Sequence, residues 1–265
     1  MGSIISAIDT ILIYKNLLLC DGGNTTPTPT TNTVVETEWT SAGSWDNGNP
    51  RTLNVQQANA IVVDPDDPRL AVIKVGNPLP IATIDGQGML TVEGGSPRIY
   101  YDGPWQNLEF GSDIRANSLV KEAYLIARSD HEIRPCGYGG NDLFFNFPEK
   151  KMYFKKEIHH DLCPTDGHKG YSPRMQEVPV DIQQEVWFNA MIRVKNIDNG
   201  TKVKLEGFFN GVKMNEVIDR GNIRCNNRRT PPYTTQCKWC YTRANSTQEN
   251  TSLSISYKNM VIKPI

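Results

Sequence analysis

The stretch WFNAMIRVKNIDNGTKVKLEGFFNGVKMNEVI, residues 187–218, decides the fold class of this chain. Apolar and polar residues alternate along both of its arms, and Asp198-Asn199-Gly200 between them is a turn signal that joins antiparallel strands. The pattern therefore predicts a β-hairpin of Trp187–Asn196 and Lys202–Phe209. Asn210-Gly211 then turns the chain into a third predicted strand, Val212–Ile218.

Short apolar or alternating runs of the same kind recur through the rest of the chain, separated by Gly, Pro, Asn and Asp. The predicted strands are Leu53–Val55, Ala60–Val63, Leu70–Val75, Ile81–Ile84, Met89–Val92, Arg98–Tyr101, Leu119–Arg128, Asp142–Phe147, Lys151–His159 and Ser252–Ile265. From Val34 onward no helical period continues beyond ten residues. This spacing predicts an all-β fold, a jelly-roll or concanavalin-like β-sandwich of residues 34–265. A long loop is expected up to about Val180, and the flanks of Cys237–Cys240 also read as loop.

The N-terminal segment differs from the sandwich. Residues 1–20 are apolar, with only Asp9 and Lys15 charged, and residues 21–33 form a Thr/Pro linker of the stiff, extended kind. The basic start of a secretory signal is missing, whereas the first six residues match an N-myristoylation pattern. Residues 1–20 are thus interpreted as an apolar arm or a signal or anchor segment. The sequence does not decide whether this segment is cleaved, lipidated or part of an assembly. Any membrane contact is expected only through this segment.

Composition and charge limit the classes of function. The chain is 38% hydrophobic and 22% charged, with a net charge of −1 and a mean hydropathy of −0.46, which excludes a polytopic membrane protein and a wholly disordered chain. Residues 1–110 carry five Lys/Arg against twelve Asp/Glu, and residues 111–265 carry 23 against 17. An acidic ligand or the acidic half of a second copy would suit the basic half. A homo-oligomer is therefore expected, and no nucleic acid. The motifs of nucleotide enzymes and common hydrolases are absent.

Cysteines and glycosylation sequons favour an extracellular, cell-surface or virion location. Five cysteines fall in the C-terminal half, where disulfides are preferred over a zinc site or free thiols. The disulfide candidates are Cys136, Cys163, Cys225, Cys237 and Cys240. Four Asn-x-Ser/Thr sequons lie in predicted loops and are candidate glycan acceptors. They begin at Asn24, Asn199, Asn245 and Asn250.

Histidine and basic residues concentrate between residues 128 and 174. On a strand Lys155, Glu157 and His159 would share one face, where cations suit the carboxylates of a uronic-acid polymer. The predicted glycan-binding residues are Lys155, Glu157, Arg174, Trp239 and Tyr241. No cofactor and no metal site are predicted. Asp64, Asp66 and Asp67 could bind calcium, but they lack the spacing of an EF-hand loop and a Pro/Asp turn explains them as well.

Four segments resemble secreted jelly-roll proteins of the concanavalin-like class, which includes the alginate and glucuronan lyases. They are Met152–His160, Tyr171–Arg174, Trp187–Asn196 and Val203–Phe209. Arg128-Ser129 is similar to the start of the lyases' Arg-Ser-Glu-Leu-Arg strand, and Glu157-Ile158-His159 to their Gln-Ile/Val-His. Their Tyr-Phe-Lys-Ala-Gly-x-Tyr strand has no counterpart near the C-terminus.

The resemblance implies a lyase that cleaves a uronic-acid polymer by β-elimination. Arg128 would neutralise the carboxylate, His159 would act as base and Tyr171 or Tyr153 as acid. The preferred hypothesis is that the chain is not an enzyme but an extracellular structural subunit of a surface filament, coat or capsid. This subunit would assemble through its N-terminal arm, and a polysaccharide is its candidate ligand. The lyase and a monomeric lectin-like module are the alternatives.

Overall fold

Strands follow the alternating segments of the chain. The computed structural model describes residues 50–54, 61–63, 70–74, 79–129, 140–158, 170–225, 228–229, 232, 237–246 and 251–265. All of them belong to one unit, Thr37–Ile265. The strands are β1 (Arg51–Asn54), β2 (Ile61–Val63), β3 (Leu70–Lys74), β4 (Ile81–Ile84), β5 (Met89–Gly94), β6 (Pro97–Trp105), β7 (Leu108–Ser118), β8 (Val120–Ser129), β9 (Gly140–Asn146), β10 (Lys151–Ile158), β11 (Gly170–Tyr171), β12 (Met175–Pro179), β13 (Phe188–Ile197), β14 (Lys202–Phe209), β15 (Val212–Asp219), β16 (Arg224–Cys225), β17 (Arg228–Arg229), β18 (Cys237–Ser246) and β19 (Leu253–Pro264).

Two antiparallel sheets form the sandwich. Sheet A has the order β1-β4-β5-β19-β7-β13-β14-β15, and sheet B has the order β11-β10-β9-β8-β18-β6-β3-β2, with β12 also paired to β10. The chain passes repeatedly between them, from β5 in sheet A to β6 in sheet B, then to β7 in sheet A and β8 in sheet B. Strands far apart in sequence therefore become neighbours, and β19 lies between β5 and β7.

The hydrophobic core lies between the sheets because every second residue of the inner strands is apolar. In β13, Phe188, Ala190, Ile192 and Val194 are buried and the residues between them are half-buried or exposed. Phe188 packs against Phe145 of sheet B, with ring centroids 5.1 Å apart. Burial of one such large apolar side chain stabilises the fold by about 1.5–3 kcal/mol.

The prediction of an all-β jelly-roll sandwich is confirmed. The predicted hairpin is present as β13 and β14, closed by a hydrogen bond of 3.1 Å that the Gly200 amide donates to the Ile197 carbonyl. Asp198 and Asn199 take the positive φ values, 50° and 56°, that this turn requires. Local sequence therefore decides this part of the sheet.

Two central strands were not predicted. Strand β7 pairs with both β13 and β19 in the middle of sheet A. The flank that follows Cys240 was interpreted as loop, and this is wrong, because Cys237–Ser246 forms β18 between β6 and β8. The expected long loop before Val180 also contains β11 and β12, which pair with β10. Polar residues at core-facing positions, Ser112 in β7 and Thr242 in β18, interrupt the alternation of these two central strands.

The predicted arm, residues 1–20, and the linker, residues 21–33, lie outside the described residues. In the part of the chain that the structure describes, no helix has the length and apolar character to cross a membrane.

Candidate functional site

The outward side of sheet A carries a half-buried polar surface centred on one tryptophan. In β7, Leu108, Phe110, Ile114 and Ala116 point into the core, so that the residues between them face outward. We call this surface the Trp187 face. Its members are Thr83, Thr91, Asp113, Arg115, Asn117, Trp187, Asn189, Ser254, Ser256, Lys258 and Asn259.

The pairing register aligns hydroxyl groups on three strands with Arg115 on a fourth. Thr83 pairs with Thr91, Thr91 with Ser256, and Ser256 with Arg115. The Thr91 and Ser256 hydroxyl oxygens are 2.8 Å apart and share a hydrogen bond. This row runs towards Trp187, which immediately precedes β13.

Two cations flank the Trp187 indole. The Arg115 guanidinium carbon lies 4.9 Å from the ring centroid and the Lys258 amino nitrogen lies 4.4 Å from it. Both distances suit cation–π attraction, which holds the indole and the cations together. Because Trp187 is half-buried, part of an apolar surface remains open beside two positive charges.

Amide side chains complete the surface. Asn117 donates from Nδ2 to the hydroxyls of Ser254 and Ser256, at 3.0 and 2.9 Å, and accepts from Arg115 Nε at 2.8 Å. Asp113 accepts from Asn189 at 2.9 Å and from Asn259 at 2.6 Å. These bonds fix the donors and acceptors in place while most of the side chains stay partly exposed. The surface can therefore offer preformed hydrogen-bond partners to a polyhydroxylated ligand.

Sequence reasoning missed the Trp187 face, although the signal was present. Apolar and polar residues alternate along residues 108–117 except at Gly111 and Ser112, and the outward set contains Asp113, Arg115 and Asn117. Ser254, Ser256 and Lys258 alternate in the same way with core residues in β19. Only the register of β7 with β19 brings the two sets together.

Aromatic side chains close the outward side of sheet B beneath the predicted basic residues Lys155 and Arg174. Tyr124, Phe144 and Tyr153 pair in register across β8, β9 and β10 and form an aromatic row, with ring centroids 4.1 and 5.1 Å apart. They are only 4%, 4% and 0% exposed. The aromatic row therefore offers no open platform for a ligand.

Two predicted glycan-binding residues, Lys155 and Arg174, cover the aromatic row. The Lys155 amino group lies 4.9 Å from the Phe144 centroid, and the Arg174 guanidinium lies 4.5 Å from that of Tyr153. Arg174 also donates to Glu149, at 2.5 and 2.7 Å, and to Glu177, at 3.0 Å. These carboxylates raise the pKa of Arg174, so its charge is already compensated within the protein.

Two predicted catalytic residues are structural. Arg128 is fully buried and donates to the Gln106 carbonyl, to Asn196 Oδ1 at 2.6 Å and to Asn107 Oδ1 at 3.1 Å. Tyr153 is fully buried on the outward side of sheet B, and burial, followed by the nearby Glu122, raises the pKa of its phenol to about 12. The predicted roles of Arg128 and Tyr153 in a lyase are corrected, because neither side chain can contact a polymer.

The backbone alone is described for several other predicted residues. Glu157 pairs with Tyr171, Tyr241 with Ile126, and Trp239 with Ser129. Cys225 lies in β16, and Cys237 begins β18. The predicted residues outside the described chain are Asn24, Asp64, Asp66, Asp67, Cys136, His159, Cys163 and Asn250. Among the residues described, no group of three His, Cys, Asp or Glu side chains could hold a metal.

Three predicted modification sites have defined surroundings. Asn199 is exposed in the β13–β14 turn, which leaves its sequon accessible. Asn245 lies on β18 rather than in a loop, and its amide donates to Tyr124 Oη and to Glu122, at 3.4 Å, so its amide nitrogen is engaged inside the fold. Cys240 is a buried free thiol, which corrects its place among the disulfide candidates.

No protein family profile matches the chain, and no curated protein matches it in sequence. The expected relation to alginate lyases therefore finds no family match. Among solved structures, the chain is similar to the carbohydrate-binding module CBM66 from Bacillus subtilis, at 10% identity and a TM-score of 0.43 over 65% of this chain and 86% of that one. A Bacillus subtilis protein with a galectin-like fold gives 9% identity and 0.44 over 84% and 91%. The Bacillus licheniformis β-glucanase gives 8% and 0.44 over 69% and 82%. Because these TM-scores are below 0.5, the likenesses carry no argument about function, which rests on the residues of this chain.

Proposed function

We propose that this chain is a glycan-binding β-sandwich protein and that saccharide binds on the Trp187 face. The observation that carries the proposal is a half-exposed indole beside rows of oriented hydroxyl and amide groups. A sugar ring has apolar C–H faces and a rim of hydroxyls, so it needs an aromatic surface and several polar partners at once.

The charges around the indole favour an acidic sugar. Arg115 and Lys258 both lie within 5 Å of the indole centroid, whereas the Asp113 carboxylate is occupied by Asn189 and Asn259. A uronate carboxylate could contact either cation while its ring lies against Trp187. A polyuronide is therefore the preferred ligand class, with neutral glucans as the comparison.

The test is calorimetric titration of the full chain with polyuronide and neutral glucan oligosaccharides. Wild-type protein should bind the polyuronide, and Trp187→Ala should weaken binding about tenfold or more, which is about 1.4 kcal/mol. Lys195→Ala is the matched control, because Lys195 is exposed on the same side of β13 but is not a member of the Trp187 face. Binding that survives Trp187→Ala, or no binding to either polymer, would exclude this function.

An extracellular setting and assembly into a filament, coat or capsid are the wider proposal. The apolar residues 1–20, the Thr/Pro linker and the accessible sequon at Asn199 support it. A glycan-binding surface on such a subunit would serve attachment, whereas a monomer with the same surface would be lectin-like. Size in solution separates the two.

A further inference from the structure

Lys156 and Asn141 face each other inside the sandwich. They are directly paired on the neighbouring strands β10 and β9. Lys156 alternates with the core residues Met152 and Phe154, and Asn141 alternates with the core residues Leu143 and Phe145. Both side chains therefore project to the interior from adjacent strands, and paired residues of this kind have Cβ atoms about 4.5–5.5 Å apart.

A carboxylate from the opposite sheet meets the lysine there. Asp219, the last residue of β15 in sheet A, places Oδ2 2.6 Å from Lys156 Nζ, and both side chains are 0% exposed. The second carboxylate oxygen of Asp219 accepts a hydrogen bond of 2.9 Å from the Gly221 amide. Burial lowers the pKa of Lys156, which brings the neutral, nucleophilic amine within easier reach.

Asn141 is the unusual member of the group. It is 0% exposed, and within the described chain neither its Oδ1 nor its Nδ2 has a hydrogen-bond partner. Folded proteins rarely leave both ends of a buried amide unsatisfied, and such a group calls for a reason. A reaction of this carboxamide with the nearby buried lysine and carboxylate would be such a reason.

We propose that Lys156 and Asn141 join in an intramolecular isopeptide bond, with Asp219 as the proton carrier. The Lys156 ammonium first passes a proton to Asp219 across their hydrogen bond. Nζ then attacks Cγ of Asn141, the new C–N bond forms, and the bond from Cγ to Nδ2 breaks. One Nζ proton stays on the new amide. The other two reach the leaving nitrogen through Asp219, which ends as a carboxylate while ammonium departs, so no oxidant or reductant is needed.

Burial protects this chemistry from water, because Asn141, Lys156 and Asp219 are each 0% exposed. The two sheets also meet closely at Leu143, the next core residue after Asn141 on β9, where a methyl group at Gly207 of sheet A would lie 2.9 Å from Leu143 Cδ1. Exclusion of water keeps a water molecule from attacking Cγ of Asn141 in place of Nζ and favours proton transfer within the pair.

Mass spectrometry of the full wild-type chain tests the proposal. After reduction, the intact protein should be lighter than its sequence by about 17 Da, the mass of one ammonia. Trypsin should then release one branched peptide that joins residues 129–150 to residues 156–169. A full sequence mass would overturn the proposal. So would a mass deficit carried by a linear 129–150 peptide, because a succinimide at Asn141 loses the same ammonia.

Variants assign the roles of the three residues. Lys156→Arg and Asp219→Asn should each restore the missing ammonia, relative to their own sequence masses. Lys155→Arg is the matched control, because the neighbouring lysine lies on the outward side of β10, over Phe144, and the deficit should persist. If a buried variant fails to fold, the peptide map of the wild-type chain still decides. A deficit that persists in Lys156→Arg would also overturn the bond.

Discussion

Arg128, the residue before the last of strand β8, lies in the left-handed region of the backbone, with a φ of 56°, and reaches across to sheet A. Its guanidinium ties the β6–β7 connection, through Gln106 and Asn107, to Asn196 near the end of β13. Asn107 Oδ1 also accepts from the Asn196 amide at 2.7 Å. One side chain thus fixes three segments at this end of the sandwich.

Arg128→Lys should lower the free energy of unfolding by about 2–4 kcal/mol, because an ammonium cannot reproduce the planar fork and leaves buried acceptors without donors. Urea unfolding followed by tryptophan fluorescence measures the loss. Arg174→Lys is the control, since Arg174 pairs with Glu149 and Glu177 at an exposed site and should cost less than about 1 kcal/mol. Equal stability of Arg128→Lys and wild type would contradict the structural role.

Cys240 should be inert in the native protein. It is fully buried, and burial raises the pKa of its thiol to about 12, so almost no thiolate forms at neutral pH. Iodoacetamide should leave Cys240 unlabelled in the folded chain and label it in denaturant without reducing agent, as read by peptide mass mapping. Labelling that requires a reducing agent would mean that Cys240 takes part in a disulfide after all.

At the scale of elements, local sequence predicts a strand only when the turn beside it is distinctive. The β13–β14 hairpin follows from Asp198-Asn199-Gly200, because these residue types adopt the positive φ values that the turn requires. Strands β7 and β18 have no such turn, and Ser112 and Thr242 occupy core-facing positions that a purely apolar pattern would miss. The Ser112 hydroxyl is tolerated there because it donates to the Lys258 carbonyl at 2.9 Å.

Gly94 and Gly200 both have a positive φ, but only Gly94 also lacks room for a side chain. At Gly94, which ends β5, a Cβ would lie 2.5 Å from Pro80 Cα, and φ is 131°. At Gly200 in the hairpin turn, φ is 81° and nothing lies within 4 Å. Gly94→Ala should therefore destabilise by more than about 2 kcal/mol, and Gly200→Ala by only about 1 kcal/mol. Thermal unfolding of both variants is the measurement, and the reverse ranking would contradict the packing at Pro80.

At the scale of the molecule, the candidate site depends on register that no single segment encodes. Trp187 and Arg115 are separated by 72 residues, and Ser256 lies a further 69 residues beyond Trp187. Their proximity comes from the pairing of β7 with β13 on one side and with β19 on the other. The chemistry of the residues was readable, but their shared surface was not, which is why prediction favoured the local basic cluster around Lys155 instead.

The charged half of the outward side of sheet A should make stability depend on pH. Burial raises the pKa of Glu206, but hydrogen bonds from Lys213, Lys204 and Arg193 outweigh this effect and hold the pKa below its ordinary value of 4.5. A carboxyl whose pKa is lowered on folding stabilises the protein above its unfolded pKa, and this contribution disappears as the pH falls through the folded pKa.

Glu206→Gln should therefore cost about 1 kcal/mol at pH 7, and the difference from wild type should shrink as the pH falls below the ordinary carboxyl pKa of 4.5. Chemical unfolding of both proteins from neutral to strongly acidic pH is the measurement. Because the three cations stay charged throughout, a difference that does not decrease with the pH would show that packing, and not charge, explains the cost.

Removal of residues 1–33 tests the division of the whole chain. The core residues of the sandwich run from Ala82 to Ile262, so the truncated chain should unfold at the same temperature as wild type, within a few degrees. If residues 1–20 dock on a second copy, the truncation removes an apolar surface from the interface, and light scattering should show an assembly for the full chain and a monomer for the truncated one.

Asp9→Ala with Lys15→Ala is the matched variant, because it keeps the apolar surface and should still assemble. Assembly of the truncated chain would place the subunit contact on the sandwich itself, with the edge strands of sheet A, β1 and β15, as the first surfaces to test.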